Sequence, residues 1–227
     1  MVTITMRSYL SSQHLQAAAF FCRAADRLES MAPEDFYEHR GYVMGSIISS
    51  AAFLDAAVNE LYLDAVDEHE AYVGGLNVEI RVRLAQGWKH GTDRMSVLAK
   101  FQMALTLTGQ EPFDPGAEPY QGVNLLRRLR NKLVHFEPES AQAGLEEGEE
   151  EFERKFQGKF DASPRFAKSG NPFWPDKCLS HGCAKWCVQS ALSFAGEFFA
   201  RLNVEPNYMR LGSSLNLELN HDPDDGG

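Results

Sequence analysis

The sequence has few of the residue runs that build β-sheets. Stretches rich in Val, Ile and Thr are scarce, whereas Leu, Ala, Phe and Glu are frequent. β-Branched residues favour strands, and Leu, Ala and Glu favour helices. A short strand over Val2–Met6 would need a partner strand that no other segment supplies. The composition therefore predicts an all-α protein.

The sequence also lacks a recognisable leader and a disulfide framework. Met1–Leu10 has no charged segment followed by an apolar one, and we expect no apolar run of membrane length. Of the four cysteines, Cys22 is remote in sequence and the other three fall within residues 178–187 at helical spacing. Such spacing is a poor basis for disulfides. We expect a cytoplasmic protein with no membrane partner.

Positive charge is scarce as well. The net charge is −10, from 22 Lys and Arg against 32 Asp and Glu, which argues against broad nucleic-acid coating because phosphate is repelled by an acidic surface. Between Glu137 and Glu153 there are eight Glu and no Lys or Arg. Just upstream lies a small basic island, where any anionic ligand is expected to bind: Arg127, Arg128, Arg130 and Lys132.

Hydrophobic periodicity predicts five helical stretches, at about 8–30, 33–66, 78–107, 120–136 and 176–202. Pro33 is typical of a helix start, Gly91 interrupts the third stretch, and Asp176 is predicted to cap the last helix. Within the acidic segment, residues 145–155 are expected to form a short solvated helix, and residues 161–175 irregular chain.

These elements predict an up-and-down bundle of four to five long helices. We expect a single helical domain over residues 1–210, with an acidic and partly irregular insertion at about 137–175. Residues 211–227 are expected to form a loosely ordered tail.

The stretch from Leu125 to Phe136 separates into two faces when it is advanced by about 100° per residue. The predicted core-facing residues are Leu125, Leu126, Leu129, Leu133 and Phe136. The opposite face carries Arg127, Asn131 and Val134, flanked by Arg130 and His135. Because Arg130 and His135 lie about 140° apart on one helix, they converge on one phosphate more easily when a second copy of the helix faces the first.

The segment Arg130–His135 has the pattern Arg-x4-6-His, in which four to six residues separate an arginine from a histidine. Asn131 is the polar residue that directly follows the arginine. The segment Ala51–Glu60 adds an apolar run with Asp55 and an Asn-Glu pair on an early long helix. In these features the chain resembles the HEPN (higher eukaryotes and prokaryotes nucleotide-binding) family, over residues 35–136 and more loosely over the last helix. The acidic insertion and the tail fall outside the resemblance.

The resemblance implies a metal-independent endoribonuclease that acts as a dimer and needs no cofactor. His135 would move protons between the ribose 2′-hydroxyl and the leaving 5′-oxygen, and Arg130 would hold the scissile phosphate. Asn131 would orient the His135 ring or bind a phosphate oxygen. Arg127 and Lys132 are predicted phosphate-backbone contacts. The expected partners are RNA, a second copy of the chain bound through the Arg130/Val134/His135 face, and an antitoxin protein, since the family includes many toxins and defence elements.

Other interpretations stay open at this point. A non-catalytic HEPN-like module would bind nucleotide, RNA or protein with the same bundle, and a purely structural bundle would bury His135 in its own core. Arg130 and His135 also suit the negative end of a helix dipole without any ligand. A second set of residues invites a zinc hypothesis, although buried small cysteines explain the same pattern: Cys178, His181, Cys183 and Cys187.

Overall fold

The computed structural model describes residues 7–31, 36–137 and 147–211. Within these ranges the chain forms helices joined by turns and loops, and no strand is present, which confirms the predicted all-α class. The long helices are α1 (Ser11–Met31), α2 (Phe36–Val66), α4 (Val78–Lys89), α5 (Val97–Thr108), α6 (Tyr120–Val134) and α8 (His181–Leu202), with the shorter α3 (Glu70–Val73) and α7 (Glu147–Phe156) between them. The strand considered for Val2–Met6, the helix start at Pro33 and the predicted tail from residue 212 lie outside the described residues.

Helix α2 lies at the centre of the fold and contacts α1, α4, α5, α6 and α8. By length and composition alone it is also apolar enough to cross a membrane, so the expectation that no apolar run approaches that length is wrong for this helix. Its buried positions include Val43, Ile47, Phe53 and Leu61, which pack inside the protein. A helix that is apolar on most sides is found in protein cores as well as in membranes, and α2 forms the core of this fold.

Small residues allow α1 and α2 to pack closely. A side-chain carbon at Gly45 would lie 2.9 Å from the ring of Phe21, so this position on α2 leaves no room for a larger residue. The Ser46 hydroxyl donates to the Ala18 carbonyl of α1 over 3.0 Å. Because that hydroxyl is buried, the bond satisfies a polar group that would otherwise cost free energy in the core.

The predicted interruption near Gly91 is confirmed, because α4 ends at Lys89 and a 3-10 turn at Thr92–Arg94 precedes α5. Ser96, the residue before α5, is extended and makes no side-chain capping bond. The first turn of α5 therefore receives no cap from Ser96, and the positive end of its dipole stays available to a ligand.

Helix α6 buries Leu126 and Leu129, as its periodicity predicts, and it packs against α8. It ends at Val134, two residues earlier than expected, because His135 leaves helical geometry at φ −107° and ψ 49°. Phe136 therefore no longer follows the helical step, and it is 54% exposed. Its assignment to the core-facing stripe is wrong.

Helix α7 is amphipathic rather than fully solvated. Phe156 is buried, and its ring lies 5.6 Å from that of Trp186 on α8. Phe152 contacts the ring of Trp174, which is also buried. The prediction of a short helix is confirmed here, but one face of it belongs to an aromatic cluster.

The start of α8 differs from the expectation that Asp176 caps it. The helix begins at His181, and the Ser180 hydroxyl oxygen accepts the Cys183 N–H over 3.0 Å as the N-cap. Asp176 instead lies in a π-turn, Phe173–Lys177, and accepts hydrogen bonds from Arg40 and Asn171, each over 2.7 Å. The cap assignment is wrong because Asp176 connects the insertion to α2.

Candidate functional site

Three of the predicted site residues on α6, Arg127, Arg130 and Asn131, line an open cleft of about 230 Å³. Helices α2, α5 and α6 form its walls. Its polar side chains are Asp55, Ser96, Arg127, Arg130 and Asn131, and its apolar walls are Ala51, Leu54, Val97, Leu98, Val123 and Leu126. The fold thus places Arg130, Asn131 and Arg127 at the same surface as the Ala51–Asp55 part of the second sequence likeness.

Arg130 and Asn131 interact directly. The Arg130 Nη1 donates to the Asn131 Oδ1 over 3.0 Å, and both side chains are partly buried. This bond fixes one nitrogen of the guanidinium and leaves the others of its planar fork to bind an anion. The Asn131 side chain thus contacts Arg130, and its backbone carbonyl accepts the N–H of His135 at the end of the helix.

Arg127 lies one turn before Arg130 and is exposed. Its Nη2 donates to Asn124 Oδ1 over 3.1 Å, so the side chain lies along the surface of α6. An exposed guanidinium at the edge of the cleft suits contact with a phosphate backbone.

His135 directly follows the last residue of α6 and is exposed to solvent. It is not among the residues that line the cleft. This placement contradicts the alternative in which His135 is buried against its own core. Val134, the residue before it, is 51% exposed, and Phe136, the residue after it, is 54% exposed.

Lys132 does not point to the same surface as Arg130. Its ammonium lies 5.4 Å from the centre of the Phe152 ring and 5.6 Å from that of Trp174. Cation–π contacts of this kind stabilise packing between elements. The structure therefore gives Lys132 a role in joining α6 to the aromatic cluster around α7.

The acidic helix α7 lies beside the basic island. The charge and hydrogen bond of Lys155 hold the pKa of Glu151 below its usual range, and the charge of Arg128 acts in the same direction. Arg128 is therefore the member of the basic island whose charge acts on α7.

Lys100 is a residue of this region that the sequence analysis missed. Its side chain is 8% exposed, and its Nζ donates to Asn59 Oδ1 over 2.8 Å and lies 3.8 Å from Asp55 Oδ1. The ring of Trp88 lies 5.3 Å from the same nitrogen. Lys100 is the one charged residue in the sequence of α5, and an isolated charge in an apolar helix is the feature by which it could have been found.

Asp55 and Glu60, the two acids of the Ala51–Glu60 segment, have different positions. Asp55 lines the cleft. The side chain of Glu60, on α2, contacts the start of α1, and its Oε1 accepts hydrogen bonds from the N–H groups of Leu10 and Ser11 over 2.7 and 2.8 Å. Its Oε2 accepts hydrogen bonds from Ser11 Oγ and from the hydroxyl of Tyr72. Asp55 is thus part of the candidate site, and Glu60 holds the fold together.

The cysteine-rich segment forms part of the core. All four cysteines are free and buried, and burial raises the pKa of the Cys178 and Cys183 thiols well above the usual range. The His181 Nδ1 lies 3.3 Å from Asp26 rather than among the thiols. Across the described ranges no group of three or more His, Cys, Asp or Glu side chains is arranged to hold a metal ion, so the zinc hypothesis finds no site in this segment.

Comparison of the chain with known protein families, with curated proteins and with solved structures found no match.

Proposed function

We propose that this protein is a metal-independent endoribonuclease of the HEPN type. The observation that carries the proposal is the cleft in which Arg130, supported by Asn131, lies beside Arg127, with exposed His135 at the end of the same helix. A HEPN-like bundle with its motif on a late helix is the arrangement that the sequence resemblance implies. The all-α fold is compatible with it.

The proposed reaction needs only the groups that α6 offers. The ribose 2′-hydroxyl attacks the adjacent phosphorus, the bond to the 5′-oxygen of the next nucleotide breaks, and a 2′,3′-cyclic phosphate and a 5′-hydroxyl form. His135 accepts the proton that leaves the 2′-oxygen or donates the proton that reaches the 5′-oxygen. Arg130 binds the phosphate oxygens and stabilises the charge that develops on them. DNA lacks the attacking hydroxyl and is not a substrate.

A homodimer through the Arg130/Val134/His135 face would complete the site. Arg130 lines the cleft and His135 does not, so a second copy of the motif helix would help to surround a phosphate with both side chains. Val134 and Phe136 are 51% and 54% exposed, and two such residues beside a histidine form an apolar contact that self-association would bury. In a two-fold dimer the motif helices of both chains would then face one phosphodiester.

The charge distribution favours a local RNA site over a long binding track. With a net charge of −10, the protein as a whole repels RNA, and the arginines of α6 form a local positive site. A neutralising antitoxin protein would need to cover only this cleft. We therefore propose RNA and an antitoxin as partners of a cytoplasmic enzyme.

Cleavage of RNA in the presence of EDTA tests the proposal. We expect the wild type to cleave, and His135→Ala and Arg130→Ala to lose activity by at least about a hundredfold. His90→Ala is the matched control, because His90 is also an exposed histidine directly after the last residue of a helix, here α4. If the wild type and all variants are equally inactive on a broad set of RNAs, the enzyme proposal is lost.

A second candidate function is favoured by the position of His135 outside the cleft. In this alternative the protein is a non-catalytic HEPN-like module that binds nucleotide, RNA or protein through Arg127, Arg130 and Asn131. It predicts RNA binding that Arg130→Ala weakens and His135→Ala leaves unchanged, with no cleavage by any form.

A further inference from the structure

The cleft combines positive charge, an apolar lining and one carboxylate. Arg127 and Arg130 supply positive charge on the α6 side, and the uncapped start of α5 at Ser96 adds the positive end of a helix dipole. The cleft is also lined by apolar side chains that suit the face of an aromatic ring: Leu54, Val97, Leu98, Val123 and Leu126. A carboxylate, Asp55, is the one acid among the lining residues.

Asp55 is held in place by its own surroundings. The Asn59 Nδ2 donates to Asp55 Oδ1 over 3.3 Å, and the ammonium of Lys100 lies 3.8 Å from the same oxygen. These contacts all involve Oδ1, and the side chain is 46% exposed. A carboxylate has about four acceptor sites, so both oxygens keep capacity for a ligand. The positive charge of Lys100 also offsets the repulsion between Asp55 and a bound phosphate.

We propose that this cleft binds a guanine base of RNA, next to the phosphate that Arg130 holds, and that Asp55 determines the specificity for guanine. Single-stranded RNA is recognised through the Watson–Crick edges of unstacked bases. Guanine presents two adjacent donors there, the N1–H and the N2 amino group, which match the two oxygens of a carboxylate. Adenine and cytosine each present one donor beside an acceptor, and uracil one donor between two carbonyls. Each of them brings an acceptor against the carboxylate.

The inference rests on the proposed function for the identity of RNA as the ligand, but binding can be measured without cleavage. Short 2′-O-methyl oligonucleotides lack the attacking hydroxyl and cannot be cut by the proposed reaction. We expect wild-type protein to bind UUGUU roughly ten- to a hundredfold more tightly than UUAUU or UUUUU, the range expected for a bidentate contact to one base. Fluorescence anisotropy at fixed salt measures these affinities.

Asp55→Asn is the decisive variant. An amide offers one acceptor and one donor, so the preference for UUGUU should fall at least tenfold, and binding of UUAUU should be retained or improve. Asp67→Asn is the matched control, because Asp67 is an exposed aspartate just beyond the far end of α2, remote from the cleft residues. Equal binding of all oligonucleotides by the wild type, no binding at all, or an unchanged preference in Asp55→Asn would overturn the inference. If Asp55→Asn does not fold, the wild-type preference among the oligonucleotides decides alone.

Cleavage data separate the two proposals. A protein that prefers UUGUU but cuts no RNA supports the guanine site and contradicts the ribonuclease. A protein that cuts RNA without regard to neighbouring guanine supports the ribonuclease and contradicts the guanine site.

Discussion

Asp55 and Glu60 lie five residues apart on α2, and the structure predicts opposite consequences for their amide variants. Glu60→Gln should destabilise the fold without changing the RNA cleavage pattern. Asp55→Asn should change base preference with little effect on stability. The comparison separates a residue of the site from a residue of the scaffold, although both belong to the same sequence feature.

The magnitude for Glu60→Gln follows from its four accepted hydrogen bonds. Two come from the Leu10 and Ser11 N–H groups, and two from the hydroxyls of Ser11 and Tyr72. Hydrogen bonds to a charged group contribute roughly 1.5–3 kcal/mol and neutral ones roughly 0.5–1.5, and the amide also places a donor where an acceptor was needed. Loss of the negative charge at the start of α1 adds about 0.5 kcal/mol. Because the contributions of these bonds are not additive, we expect Glu60→Gln to lower the free energy of unfolding by about 2–3 kcal/mol in total.

For Asp55→Asn we expect the free energy of unfolding to fall by less than about 1 kcal/mol, since the side chain is half exposed and its contacts with Asn59 and Lys100 are long. Urea unfolding followed by circular dichroism measures both variants, and Glu60→Gln should also lower the Tm by roughly 5–10 °C. Equal destabilisation by Asp55→Asn and Glu60→Gln would contradict these assignments, and so would altered cleavage specificity in Glu60→Gln at a temperature where that variant is folded.

The remaining predictions concern the dimer, the basic island and the buried titratable groups. Val134→Asp should convert a dimer to a monomer in analytical ultracentrifugation, and a wild type that is monomeric at micromolar concentration would contradict the proposed face. Lys132→Ala should lower the free energy of unfolding by about 1 kcal/mol, because it removes the contacts with the two rings. Arg127→Ala should change the free energy of unfolding by no more than about 0.5 kcal/mol and should weaken RNA binding. A destabilising Arg127→Ala together with weaker RNA binding by a stable Lys132→Ala would contradict both assignments. Burial and the hydrogen bond with Asp64 raise the pKa of Tyr9 to about 12. The protonated hydroxyl of Tyr9 should therefore stabilise the fold fully below about pH 10, and this stabilisation should be lost as the pH rises towards 12. In urea unfolding at several pH values, Tyr9→Phe should remove this part of the alkaline loss of stability, and an unchanged alkaline profile would contradict the prediction.

The core of α6 was predictable from sequence because its apolar residues repeat at helical spacing, as Leu126 and Leu129 show. The same rule failed at Phe136, since a 100° step applies only while the backbone stays helical, and His135 leaves that geometry. The prediction that Asp176 caps the last helix was wrong for another reason. Its carboxylate accepts a hydrogen bond from Arg40, which is far away in sequence, and local propensity carries no information about such a partner.

The candidate site shows the same limit. The motif identified Arg130 and Asn131, and helical geometry placed both away from the core. The fold was needed to show that Asp55 lies at the same cleft and that Lys132 faces the aromatic rings of Phe152 and Trp174. These relations depend on how α2, α6 and α7 pack, and periodicity within one helix does not specify packing between helices.

Cleavage by the ribose 2′-hydroxyl at the α6 site would leave characteristic product ends, which can be identified directly. RNA incubated with the purified protein in EDTA is analysed by mass spectrometry, beside the same RNA carrying one 2′-deoxy substitution at the major cleavage site. We expect fragments ending in 2′,3′-cyclic phosphate and 5′-hydroxyl, no cleavage at the substituted position, and no products with His135→Ala. Fragments ending in 3′-hydroxyl and 5′-phosphate, or equal cleavage by His135→Ala, would contradict cleavage by the 2′-hydroxyl at this site.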